Sequence, residues 1–223
     1  MTTTATKPEQ SQPKGRTKMP PRLRQPLRSE IASEEIHHRF DQLFGDKDPA
    51  VEPGTKEGTP GTWWTTMANE PGVFHLIEER HKWQYSTERA LSPLHRELAL
   101  TRTGWARGSQ LVYSQHRKVL RRLGVEEVKI DSLMNWSSTD CFTEQERVLL
   151  GYVDDLVLGG GRVSDERFTQ LRSVFSDVEI LELTYVTCTY IMSATMSLAL
   201  RLEWDDRPDP IVEVTSGSGP SSE

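Results

Sequence analysis

Cysteine is almost missing from this chain. Its 223 residues hold two, Cys141 and Cys188. They form no CxxC pair, no zinc-ligand spacing and no disulfide framework, so a metal-stapled or disulfide-stapled scaffold is excluded and a reducing, cytoplasmic setting is expected. A long apolar run is also missing. No stretch approaches the roughly 18 residues of a membrane span, and no apolar segment follows Met1-Thr2-Thr3-Thr4-Ala5 as a secretory signal would require. Charge of one sign is missing too: 27 basic and 33 acidic residues leave a net −6, which offers no basic face to nucleic acid. The hydrophobic share, 35%, falls below the roughly 45–50% usual for a globular domain, an average that also counts glycine. The shortfall lies in the first 60 residues and the last dozen, so the middle can still bury a core.

What is present is helical periodicity. Residues 1–28 are rich in Thr, Pro, Lys, Arg and Gln without an apolar period, and disorder is expected there because too little surface can be buried to offset ordering. Residues 29–61 read as a helix carrying Ile36, Phe40, Leu43 and Phe44, then a loop broken by Pro49, Pro53, Gly54, Gly58 and Pro60. From residue 62 to 204 helix signals follow one another. Pro71 and Pro93 suit first helical turns, and Ser92, Ser164 and Ser176 are N-caps. Thr143-Glu144-Gln145-Glu146 has the form of a capping box, and Gly108, Gly124 and Gly159-Gly160-Gly161 are stops. No segment has a convincing strand period, so the fold class is all-α, with residues 205–223 as a tail. The glycine triplet follows a helix rather than a strand and does not read as a phosphate loop.

Glu97 and His116 lie on the two helices that flank Gly108, which can pair as a hairpin. A carboxylate bonded to one imidazole nitrogen fixes the tautomer and raises the basicity of the other, an acid–base arrangement suited to neutral pH. Tyr113, three residues before His116, is expected on the same helical face as a donor to a developing oxyanion. Taken on spacing alone, the pair reads equally as a salt bridge or a satisfied interior histidine. Trp105 is a candidate pocket wall. His75, Glu78, Glu79 and His81 form a loose cluster without HExxH, so no metal site is expected and solvated helix faces are the default.

Residues 92–124 resemble the signature region of the carboxymuconolactone decarboxylase and alkylhydroperoxidase D superfamily. Arg96-Glu97-Leu98-Ala99 matches the family's "RELA" helix, His116 the histidine of its CxxCxxxH, and Gly124 the glycine that ends that helix. Asn135-Trp136, Phe142 to Arg147, Val163 to Glu166 and Phe175 to Leu183 continue the likeness, which spans about residues 62–203. The resemblance implies an alkylhydroperoxidase D-like helical bundle and a homo-oligomer. Ser109 and Val112 stand where the peroxidases carry cysteines, so the thiolate and the resolving thiol of a peroxidatic cycle are missing, and the chain is similar to the cysteine-free branch.

These readings predict a cofactor-independent lyase or isomerase acting on a small organic acid, lactone or polyketide-like molecule. His116 is the acid/base, Glu97 its orienting partner and Tyr113 the oxyanion donor, with Trp105, Ser109, Val112, Gln115 and Arg102 bordering the substrate. A non-catalytic ligand-binding or scaffolding protein, and a peroxidase built on other thiols, remain as alternatives.

Overall fold

The computed structural model describes residues 20–56 and 61–202. Among them are α1 (Glu34–Phe44), α2 (Thr62–Met67), α3 (Pro71–Gln84), α4 (Pro93–Ala106), α5 (Gln110–Arg122), α6 (Glu127–Asp131), α7 (Glu144–Val157), α8 (Asp165–Val174) and α9 (Asp177–Leu200), and no strand. The fold is all-α, as expected. The helix starts follow the caps: Ser33, Ser92, Ser109, Thr143, Ser164 and Ser176 each accept a bond from the first turn. The Thr143 box closes reciprocally, with Glu146 N donating to Thr143 Oγ1 at 3.3 Å and Thr143 N donating to Glu146 Oε2 at 2.8 Å.

Two apolar clusters organise the molecule. The larger joins α4, α5, α7 and α9 through buried Leu98, Leu100, Leu120, Leu149, Leu150 and Leu183. The smaller joins α1–α3 to the end of α9 through Ile36, Phe40, Met67, Phe74, Ile77 and Leu202. The α4–α5 hairpin is the tightest pairing. A β-carbon on Gly104 would stand 2.5 Å from the Tyr113 backbone nitrogen and 2.8 Å from its Cα, so this glycine sets how closely the two helices approach. Gly108, at φ 65°, makes the turn between them.

Three sequence expectations change. Disorder was expected through residue 28, and residues 1–19 lie outside the described residues. Residues 20–28 run along the smaller cluster: Arg22 N donates to Leu200 O at 3.0 Å, Gln25 Nε2 to Thr66 Oγ1 at 3.0 Å, and Asn69 Nδ2 to Arg24 O at 2.9 Å. A segment without apolar period is thus held by backbone bonds to neighbours and by the buried Pro26. The helix start expected at Ser29 is a single 3-10 turn, Arg28–Glu30. Finally, α9 is long and apolar enough to cross a membrane by length and composition, which its Thr and Ser residues disguise in sequence; 33% of its apolar window is buried inside the protein. The exposed apolar side chains of Val178, Leu181, Tyr185 and Met192 lie along one side of it.

Candidate active site

α4 and α5 bring Glu97 and His116 together. His116 Nδ1 lies 2.6 Å from Glu97 Oε2, and the two side chains are 5% and 0% exposed. The other carboxylate oxygen accepts from Arg96 Nε at 2.9 Å, and Arg96 Nη1 donates to Gln84 O at 3.1 Å. Burial alone would raise the Glu97 pKa; His116 and Arg96 outweigh it and hold the carboxyl below its usual range. Glu97 is therefore an anion that only accepts, so Nδ1 must be the protonated nitrogen and Nε2 carries the lone pair. Nε2 has no hydrogen-bond partner among the described residues, and the ring lines a cleft of about 800 Å³ between the two clusters. That volume suits a small organic molecule.

Of the sequence-predicted residues, Val112, Gln115 and His116 line the cleft. Tyr113 does not. It is fully buried on the other side of α5, where Arg117 Nη1 donates to its hydroxyl at 3.4 Å. Three residues advance a helix by about 300°, which splays neighbouring side chains by about 60°. On a helix packed from both sides that is enough to separate them. Arg102 is also elsewhere: its guanidinium donates to both Asp154 oxygens at 2.7 and 2.9 Å and to the Leu133 and Met134 carbonyls, stitching α4 to α7. Trp105 packs beneath that guanidinium at 4.3 Å rather than beside the cleft. Ser109, at the position of a peroxidase cysteine, caps α5 and shares a 2.9 Å bond with Ser197. Cys141 and Cys188 are free and do not line the cleft.

The structure adds residues from α3 and α9 that the motif does not contain. The Tyr190 ring meets His116 edge-on at 4.6 Å. Its hydroxyl accepts from Gln84 Nε2 at 3.2 Å and bonds Tyr85. Burial pushes the phenol pKa up, which keeps the Tyr190 hydroxyl protonated and able to donate as well as accept. Arg39, Arg80, His81 and Tyr85 also line the cleft.

Burial first, then the Arg39 charge, pushes the His81 pKa down to about 4 from an ordinary value of 6.5. Folded His81 is thus harder to protonate than in the unfolded chain. Its contribution to stability is complete above about pH 6.5 and is lost as the pH falls towards 4. Chemical denaturation from pH 7 to 4.5 should show stability falling through this window, with a shallower fall in His81→Gln; equal slopes would contradict the assignment.

Glu35, His75 and Glu79 present three potential ligand atoms within 4.8 Å of one another at the surface. Lys82 already bonds Glu79 at 2.7 Å and lies 3.9 Å from Glu35, supplying the positive charge there.

Residues 71–155 match the carboxymuconolactone decarboxylase family. The fold is similar to an uncharacterized peroxidase-related protein with an alkylhydroperoxidase AhpD core from Ralstonia eutropha JMP134 (TM-score 0.69, 18% identity, 83% of this chain and 93% of that one). A protein of unknown function from Agrobacterium tumefaciens, linked by its description to the antioxidant-defence protein AhpD, is 26% identical over 61% of this chain and 92% of its own, with TM-score 0.57. The debrominase Bmp8, as a cysteine-to-alanine variant in complex with 2,3,4-tribromopyrrole, superimposes with TM-score 0.64 at 15% identity over 83% of this chain and 92% of its own. No curated protein matches the chain. The segment that matches the family carries Glu97 and His116, and beyond that segment the fold is similar to that of AhpD-like structures.

Proposed function

We propose that this protein is a cofactor-independent acid–base enzyme, a lyase or isomerase acting on a small organic acid, lactone or polyketide-like molecule. The observation that carries the reading is the buried 2.6 Å Glu97–His116 bond, which leaves an imidazole lone pair at the cleft. His116 Nε2 takes a proton from the substrate, Glu97 stabilises the imidazolium that forms, and an enolate-like intermediate results. Tyr190 replaces Tyr113 as the donor to the developing oxygen charge. Dehydration and isomerisation proceed from that intermediate, by loss of hydroxide or by return of the proton from the imidazolium to another carbon. A decarboxylation reaches its enolate by loss of CO2 instead, and a protonated His116 then supplies the proton that quenches it. The position of Cys141 and Cys188 away from the cleft counts against thiol chemistry in it.

The test is a conversion screen of small acids and lactones, followed by mass spectrometry, with wild type and His116→Ala side by side. Conversion by the wild type alone is expected. Ligands bound and left unchanged by both would favour a binding protein instead.

The homo-oligomer implied by the family is part of the same proposal. Val178, Leu181, Tyr185, Cys188, Met192, Thr195 and Ala199 alternate three and four residues apart, and all are exposed. Residues 183–200 contain no charged side chain. Such a spacing on one helix face suits pairing with the same face of a second copy. Light scattering should give a multimer for the wild type and a smaller species for Leu181→Glu; a wild-type monomer would contradict it.

A further inference from the structure

The inference concerns what the cleft accepts, and it rests on the acid–base reading only for the position of the reacting atom. Arg39, Lys56, Arg80 and Arg122 all line the cleft, and no Asp or Glu lines it among the described residues. Two of these cations are already engaged. Arg39 is held by both oxygens of the buried Glu78, at 2.6 and 2.5 Å, and its guanidinium covers Trp64. Lys56 Nζ donates to Asp41 O at 2.9 Å.

Arg80 differs. Its Nη1 donates to Ser193 Oγ at 3.0 Å, and Ser193 passes its own proton to Thr189 O at 2.9 Å. The Nε is buried without a hydrogen-bond partner, and no carboxylate pairs with this guanidinium among the described residues. Arg80 is half-buried, so its charge is partly removed from water without a counter-ion. That is a costly arrangement unless an anion completes it. The guanidinium lies 5.5 Å from the centre of the Tyr190 ring, whose edge-on partner at 4.6 Å is His116. An anionic group on Arg80 therefore sits one aromatic ring away from the proposed base.

Part of the remaining lining is flat and apolar, formed by Trp63, Trp64 and Tyr85 with Leu111 and Val112. We propose that the cleft is a site for an organic carboxylate with a planar, unsaturated body. The carboxylate pairs with Arg80, assisted by the Ser193 hydroxyl that already orients it, and the body lies along the tryptophan wall with its reactive carbon towards His116. Arg80 is then a specificity-determining residue, which the sequence motif of α4 and α5 does not include. Neutral His81, beside it in the lining, offers a hydrogen bond without adding charge.

The test compares benzoate with benzamide, two probes of equal ring and shape that differ in charge, by ligand-observed NMR and calorimetry on the full chain. Benzoate should bind at least about tenfold more tightly than benzamide, the order expected of a charge-assisted pair. Arg80→Gln should erase that preference with benzamide binding unchanged, and Arg80→Lys should keep part of it. The wild-type comparison needs no variant to fold. Equal binding of the two probes, binding of neither, or a preference that survives Arg80→Gln overturns the proposal. A protein that holds benzoate through Arg80 yet converts no acid supports this inference while refuting the acid–base reading. Conversion of carboxylates at the wild-type rate and affinity in Arg80→Gln supports the acid–base reading and refutes this one.

Discussion

Glu97→Gln should lower turnover of any substrate the wild type converts by about 10²–10⁴-fold, the range for a displaced general base. The carboxylate accepts two bonds, from Arg96 Nε and His116 Nδ1. An amide has one oxygen for these two donors. If the oxygen goes to Arg96, the amide N–H meets Nδ1, and the imidazole must move its proton to Nε2. The lone pair facing the cleft is then gone. The change also leaves the nearly buried Arg96 without a counter-charge, which should cost about 3 kcal/mol of stability. Melting and turnover should fall together. Full turnover in a folded Glu97→Gln protein would remove Glu97 from the mechanism. Acid should mimic part of this change. The carboxyl pKa is lowered in the fold, so its stabilising contribution holds above the usual carboxylate range and is lost as pH falls through that lower value.

The second large effect is expected far from any charge. Gly104→Ala lies inside α4, where replacing glycine with alanine ordinarily stabilises a helix by about 1 kcal/mol. Here the sign should reverse. The new methyl would stand 2.5 Å from the Tyr113 backbone nitrogen, and backbone cannot rotate away as a side-chain tip can. A loss of about 1–3 kcal/mol is expected from forcing the helices apart. The same displacement would lengthen the 2.6 Å bond between Glu97 and His116, which joins these two helices, so activity should fall as well. Denaturant titration checks the sign: a stabilised Gly104→Ala would mean that α4 and α5 are not packed this closely.

The helices were readable because their starts are marked by chemistry that acts locally. Ser92 with Pro93, and Thr143 with Glu146, satisfy first-turn N–H groups within a few residues, and the structure places helices where they stand. The Glu97–His116 pair was readable because both residues belong to one hairpin. What the sequence hid comes from distance or from direction. Arg80, His81, Tyr85 and Tyr190 belong to α3, its C-cap and α9, and no spacing within the hairpin points to them. Tyr113 misled because proximity along a helix does not decide which of two packed sides a ring enters. Arg102 misled because a basic residue five positions after Glu97 could face either the cleft or α7, and Asp154, 52 positions away, captures it. The ordered course of residues 20–28 depends on carbonyls at Ala199 and Leu200, a partnership outside any local pattern.

The most direct measurement is the tautomer of the neutral His116 ring, from ¹⁵N shifts of the selectively labelled protein. The account predicts Nδ1 protonated and Nε2 bare, with the proportion reversed in Glu97→Gln. A ring protonated at Nε2 in the wild type would place no lone pair at the cleft and would contradict the acid–base assignment.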